Sequence, residues 1–119
     1  MKRGAATIGG KKYPMIFNAT VLINLEKYKN KPSEKALQEL LEGGSASDTF
    51  WLLHECVEQG CAYAKYLGEE APDVPSVDEI AFLVGVDEFG DITKELFETV
   101  QNGQRADLDT TGKKAEPTT

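Results

Sequence analysis

The sequence predicts a mostly α-helical, α+β domain, with a short N-terminal β-hairpin followed by about five helices packed around a long central helix. Three observations favour this fold class. A wide apolar stripe of helical period runs through Ser47–Leu67. Gly9-Gly10 separates two short β-prone runs near the N-terminus. Several further amphipathic segments are bounded by glycine, proline and capping residues.

The composition indicates one acidic domain. The chain has 119 residues, of which 40% are hydrophobic, and a formal net charge of −7. That charge disfavours binding to nucleic acid and suits basic or amphipathic-cationic partners. No apolar run reaches the length of a membrane span, and the first residues lack the apolar core of a signal peptide. We therefore expect a protein of the cytoplasm, with no nucleic-acid or membrane partner.

The segment Ala5–Phe17 is predicted to form the hairpin. Gly9-Gly10 can supply the positive φ angles that a two-residue turn requires. Pro14 lacks a backbone donor, so the second strand is expected to be an edge. Two strands alone are marginally stable, and the hairpin must therefore pack on helices.

The central helix is predicted to be buried by several neighbours. Ser47 is its expected N-cap, Asp48 lies near the positive end of the helix dipole, and Gly68 is expected to end it in the left-handed conformation. Five apolar side chains fall within roughly 80° of one another around the axis. They are Phe50, Leu53, Val57, Cys61 and Ala64.

Two helices are predicted before the central one. Asn18 is the expected cap of a helix at about residues 19–29, which Pro32 follows. Ser33 is the expected cap of a short helix that ends before Gly43-Gly44.

Two helices are predicted after it. Ser76 and Glu79 match the capping-box pattern and open a helix at about residues 77–84. The last helix is expected at about residues 91–102, with Gly103 as its stop. Residues 1–103 would form the single domain, and the polar residues 104–119 are expected to be a disordered tail.

The candidate chemistry is sparse. His54, Glu58 and Cys61 recur at helical spacing and could offer metal ligands, but no second His/Cys cluster completes a coordination shell. Cys56 and Cys61 lie about 140° apart on one helix and are expected to be reduced core residues. We therefore predict no enzyme activity, no catalytic residue, no metal and no cofactor.

Trp51 and Tyr66 are the candidate partner-binding residues. Both fall on the otherwise polar side of the central helix, and large aromatic side chains are enriched at protein interfaces. The alternative is that these rings cover another helix or the hairpin.

The order of these pieces resembles the tail assembly chaperone family of long-tailed, siphovirus-type bacteriophages. The resemblance runs from about Lys11 to Gly103. It rests on the strand-to-helix run KKYPMIFNATVLINLEKY, the middle helix FWLLHECVEQGCAYA, and the final pair PSVDEIAFLVG and GDITKELFETV.

The resemblance implies binding rather than catalysis. Such proteins coat the phage tape measure protein and recruit tail tube subunits in the host bacterial cytoplasm, and they are absent from the finished virion. Many are made in two lengths through a ribosomal frameshift, which codons for Gly112-Lys113-Lys114 could permit. Self-association is a further expectation. The alternative function is a small virion structural or head–tail connector protein.

Overall fold

The structure, a computed structural model, describes the backbone of residues 2–115 and the side chains of residues 2–104. A two-stranded antiparallel hairpin precedes five α-helices, which confirms the predicted fold class. The elements are β1 (Gly4–Ile8), β2 (Lys11–Met15), α1 (Ala19–Lys29), α2 (Ser33–Gly43), α3 (Ala46–Tyr66), α4 (Val77–Leu83), a 3-10 turn (Val86–Glu88) and α5 (Phe89–Ala115).

The predicted hairpin turn is confirmed. Gly9 and Gly10 have φ angles of 59° and 80°, so both central residues use the left-handed region that favours glycine. Ile8 pairs with Lys11 and Ala5 with Pro14. In an antiparallel hairpin, hydrogen-bonded and non-hydrogen-bonded pairs alternate outward from the turn. The Ala5–Pro14 pair is a non-hydrogen-bonded one, so the missing N–H of Pro14 costs no hydrogen bond between the strands.

The hairpin packs on both long helices. The backbone N–H of Ile16, just after β2, donates to the carbonyl oxygen of Cys56 in α3 at 3.1 Å. Gly60 of α3 lies against Pro14 and Met15, where a β-carbon would come within 2.7 Å of the Met15 Cα atom. On the other strand, Gly4 lies against the hydroxyl of Thr99 in α5. These contacts supply the support that two isolated strands lack.

The central helix α3 is buried as predicted. Leu53, Val57 and Ala64 are all buried in the core. Its first residue is Ala46, and the side chain of Ser45, not the expected Ser47, accepts from the backbone N–H of Asp48 at 3.2 Å. Either serine fits the sequence pattern, and the one that precedes the first helical residue takes the role.

The predicted end of α3 is confirmed. Gly68 has a φ of 82°, and its N–H donates to the Lys65 carbonyl at 3.0 Å. The N–H of Glu69 donates to the Ala64 carbonyl at 2.9 Å. This pair of bonds is the Schellman motif, which satisfies the last carbonyl groups of the helix.

The caps of the shorter helices are mostly as predicted. Asn18 accepts from the Val21 N–H at 3.2 Å, and the Ser76–Glu79 capping box is present at the start of α4. Ser33 is not the cap of α2: Pro32 holds the cap position, and the Ser33 N–H donates to the carboxylate of Glu26.

The last helix corrects two predicted boundaries. α5 begins at Phe89, directly after the 3-10 turn, and continues through Gly103 to Ala115. Gly103 is therefore an interior residue, where a β-carbon would lie 2.6 Å from the carbonyl oxygen of Phe17. The expected disorder of residues 104–119 stays a prediction, since no side chain after Gln104 is described and residues 116–119 lie outside the described part of the chain.

Candidate functional site

Trp51 lies at the N-terminal end of α3 and covers the end of α1. Its ring stacks on that of Tyr28, with centroids 4.2 Å apart and an interplanar angle of 4°. The Trp51 ring therefore covers another helix, as in the alternative interpretation of the sequence. Trp51 is only half-buried, and one part of it lines a surface groove.

A polar cluster fixes that stack. Asp48 accepts from the Tyr28 hydroxyl at 2.7 Å and from the Lys29 ammonium at 2.7 Å. The hydrogen bond from Lys29 holds the pKa of Asp48 below its ordinary value, and the same bond raises the pKa of Lys29. The bond to Asp48 raises the pKa of Tyr28. The first turn of α3 is thereby tied to the last turn of α1.

The groove runs between α3, α4 and the start of α5. Two adjoining depressions of about 300 Å³ and about 540 Å³ share Ala46, Phe50 and Ala81. The Phe50 and Phe89 rings meet at 5.4 Å between centroids. Trp51 lines the larger of the two depressions, and Val86 lines the smaller one. We call this depression the α3–α4 groove.

Large apolar side chains stand exposed along this part of the chain. Phe82 is 87% exposed and Val86 is 94% exposed, while only Ile80 of α4 is buried. Val86 lines the groove, and Phe82 follows the groove residue Ala81. Exposed aromatic and aliphatic groups beside an apolar groove are typical of protein-binding surfaces.

Tyr66, the second predicted partner-binding residue, lies far from the groove. It is 84% exposed and stacks loosely on Tyr63, at 6.4 Å between ring centroids. Tyr66 follows Trp51 by 15 positions in α3, which corresponds to about 22 Å along a helix axis. The structure therefore does not bring the two candidate residues together.

The single histidine lies in an acidic environment. His54, Glu55 and Glu58 can place ligand atoms within 4.8 Å of one another, whereas Cys61 is buried in the core. Glu55 is itself buried and accepts from the Asn24 amide at 2.7 Å. The helical spacing had grouped His54, Glu58 and Cys61 as candidate ligands, whereas in the structure Glu55 takes the place of Cys61 in this group.

Both cysteines are free and buried, as predicted. Burial raises the pKa of each thiol, and the effect is greatest for Cys56. In the described part of the chain, no hydrogen bond joins either thiol to His54.

Apart from Trp51, the residues in and beside the groove were missed at the level of sequence, although one further signal was present. Phe82 lies outside the apolar stripe of α4, so a large ring had to face solvent or a partner. Phe50 and Phe89 gave no such signal, because their pairing depends on the tertiary fold.

The fold defines an α+β helical domain with an apolar surface groove. Comparisons of the chain with protein-family models, curated proteins and solved structures give no match. Within residues 2–115, none of the helices combines the length and the apolar character needed to cross a bilayer.

Proposed function

We propose that this protein is a tail assembly chaperone of a long-tailed bacteriophage, acting by binding and not by catalysis. It would hold apolar segments of the tape measure protein and recruit tail tube subunits in the host bacterial cytoplasm. The proposal joins the sequence resemblance to the surface of the domain.

The observation that carries the proposal is the α3–α4 groove with large apolar side chains exposed in and beside it. Phe82 and Val86 are almost fully exposed, yet a folded domain gains stability by burying such groups. Their exposure is accounted for if a partner covers them. A helix laid into a groove buries its apolar face in this way and can be released again.

The test is co-expression of the full chain with the tape measure protein encoded beside it. We expect the two to co-purify and the tape measure protein to aggregate without this chain. Phe82→Ser is expected to weaken the association without loss of folding, because that side chain is exposed. Ile23→Ser is the matched control, since Ile23 is a half-exposed apolar residue of α1.

Trp51→Ala and Tyr66→Ala test the two sequence-based candidates. Both are expected to weaken tape-measure binding, but Trp51→Ala also loses the stack on Tyr28 and so lowers stability. Circular dichroism separates the two effects. Detection of the chain in purified virions, with no complex with the tape measure protein, would instead identify a virion structural protein.

A further inference from the structure

The acidic charge of the chain is concentrated in one segment. Residues 66–93 contain eight acidic and no basic side chains. The rest of the chain contains twelve acidic and thirteen basic residues and is nearly neutral. This segment spans the connection after α3, all of α4 and the start of α5. The net charge of −7 therefore belongs almost entirely to one part of the molecule.

Most of these carboxylates have no basic partner among the described side chains. Glu69 forms an ion pair with Arg3 at 2.7 Å. Glu79 and Glu88 accept from the backbone N–H groups of Ser76 and Gly85, which leaves their negative charge unneutralised. The remaining five have no described basic side chain within 4 Å. They are Glu70, Asp73, Asp78, Asp87 and Asp91.

Three of the acids border the α3–α4 groove. Asp78 belongs to its lining, and the carboxylate of Asp87 lies beside Gly85, another lining residue. The carboxylate of Glu88 accepts a hydrogen bond from the backbone N–H of the same glycine. The neighbouring basic side chain, Lys29, is already engaged by Asp48 and by Glu39 at 3.4 Å. The groove thus has an apolar floor and a negative rim.

We infer that the α3–α4 groove takes a cationic amphipathic helix, whose apolar side chains cover Phe82 and Val86 and whose Lys or Arg residues face the carboxylates of Asp78, Asp87 and Glu88. The inference rests on the binding role proposed above, but it specifies the chemistry of the partner segment. Opposite charges at an interface rim accelerate association and exclude wrong partners.

The same charge pattern disfavours other occupants. A second copy of the chain would bring a second acidic segment against the first, and like charges at an interface are repulsive. An anionic membrane surface would be repelled for the same reason. A basic helix is the partner that satisfies both the apolar floor and the negative rim.

The test titrates the full chain with three synthetic peptides of about 18 residues, each spanning about 27 Å as a helix. One is an amphipathic Leu/Lys helix, one is its Leu/Glu counterpart, and one has the Leu/Lys composition in scrambled order. None contains tryptophan, so the emission of Trp51, the single tryptophan and part of the groove lining, reports binding. We expect the Leu/Lys helix alone to bind, with an affinity that falls at high salt.

Two pairs of variants locate the site. Phe82→Ser is expected to weaken Leu/Lys binding about tenfold, while the control Ile23→Ser leaves it within about twofold. Asp87→Lys is expected to weaken it about tenfold at low salt. Its control is Glu98→Lys, which makes the same charge change at an exposed acid beside the hairpin.

The outcomes separate this inference from the proposed function. Equal binding of the Leu/Lys and Leu/Glu helices, or equal effects of Asp87→Lys and Glu98→Lys, would overturn the inference even if the tape measure protein co-purifies. Sedimentation could also overturn the inference. If the chain self-associates and Phe82→Ser abolishes this, the α3–α4 groove joins two copies of the chain. Selective Leu/Lys binding without a tape-measure complex would support the inference and refute the proposed function.

Discussion

Gly60 shows how one residue brings the hairpin onto the central helix. A glycine inside a helix costs roughly 0.5–1 kcal/mol relative to alanine, so its presence in α3 needs a reason. The reason is the backbone of Pro14 and Met15, which crosses the helix where a side chain would stand. The close approach also permits the hydrogen bond from Ile16 to the Cys56 carbonyl.

Gly60→Ala is expected to destabilise the domain by about 3 kcal/mol, because the new methyl group would meet backbone atoms that cannot rotate away. Urea unfolding followed by circular dichroism measures the change. Gly90→Ala is the matched control: a β-carbon there would meet no neighbouring atom within 4 Å, and we expect no loss of stability. Equal effects of both substitutions would contradict this account of the packing.

Asp48 is a single residue that is expected to make the stability of the domain depend on pH. Because its pKa lies below the ordinary value of 3.8, its contribution to stability is present above that pH and is lost as the pH falls through the lowered pKa. Asp48→Asn should therefore cost about 1 kcal/mol at pH 7 and less at pH 3, which lies below the ordinary pKa. Thermal unfolding at the two pH values checks this. The control is Glu98→Gln, which removes an exposed acid outside the acidic segment, and we expect its small effect to be the same at both pH values.

At the scale of elements, the sequence predicted most of the turns and helix ends that local chemistry decides, with the Ser47 and Ser33 caps as the exceptions. The Gly9-Gly10 turn, the Asn18 cap, the capping box at Ser76 and the end of α3 at Gly68 all depend on residues within one or two turns. Gly103 was misjudged because a glycine that ends a helix and a glycine that admits a neighbouring backbone look the same in sequence.

The candidate site was less predictable for a related reason. Trp51 was identified from its position on the polar side of α3, but its stack on Tyr28 joins two helices. The groove needs α3, α4 and α5 together, and no periodicity within one helix reports that arrangement. Besides Trp51, only Phe82 carried a local signal.

Helix α4 is short, and its cap is expected to matter. Ser76→Ala removes the hydroxyl that accepts from the backbone N–H of Glu79, and we expect it to lower the free energy of unfolding by about 1 kcal/mol. Ile80 is the one buried residue of α4, so few core contacts hold this helix in place. We therefore expect much of the lost stability to show as local unfolding of α4. Amide exchange measures it: the Val84 N–H, bonded to the Ile80 carbonyl, should exchange faster while amides in the middle of α3 do not. Uniform acceleration would show instead that α4 unfolds only with the whole domain.

At the scale of the whole molecule, the uneven charge affects stability. The eight acids of residues 66–93 repel one another, and salt screens that repulsion. We expect the melting temperature at pH 7 to rise by a few degrees between low and about 0.5 M salt.

The variants used for binding also test this effect. Asp87→Lys should reduce the salt-induced rise more than Glu98→Lys, which lies outside the acidic segment. A melting temperature that falls with salt would show that the ion pairs of Arg3 with Glu69 and Lys29 with Asp48 outweigh the repulsion.

The contact between Gly4 and Thr99 joins the first strand to the last helix, and this has a consequence during synthesis. At 5–20 residues per second, roughly 5–20 s pass on the ribosome between the two residues. Through that interval the nascent hairpin cannot gain the contacts between β1 and α5. The protein completes its own fold only when its last helix emerges.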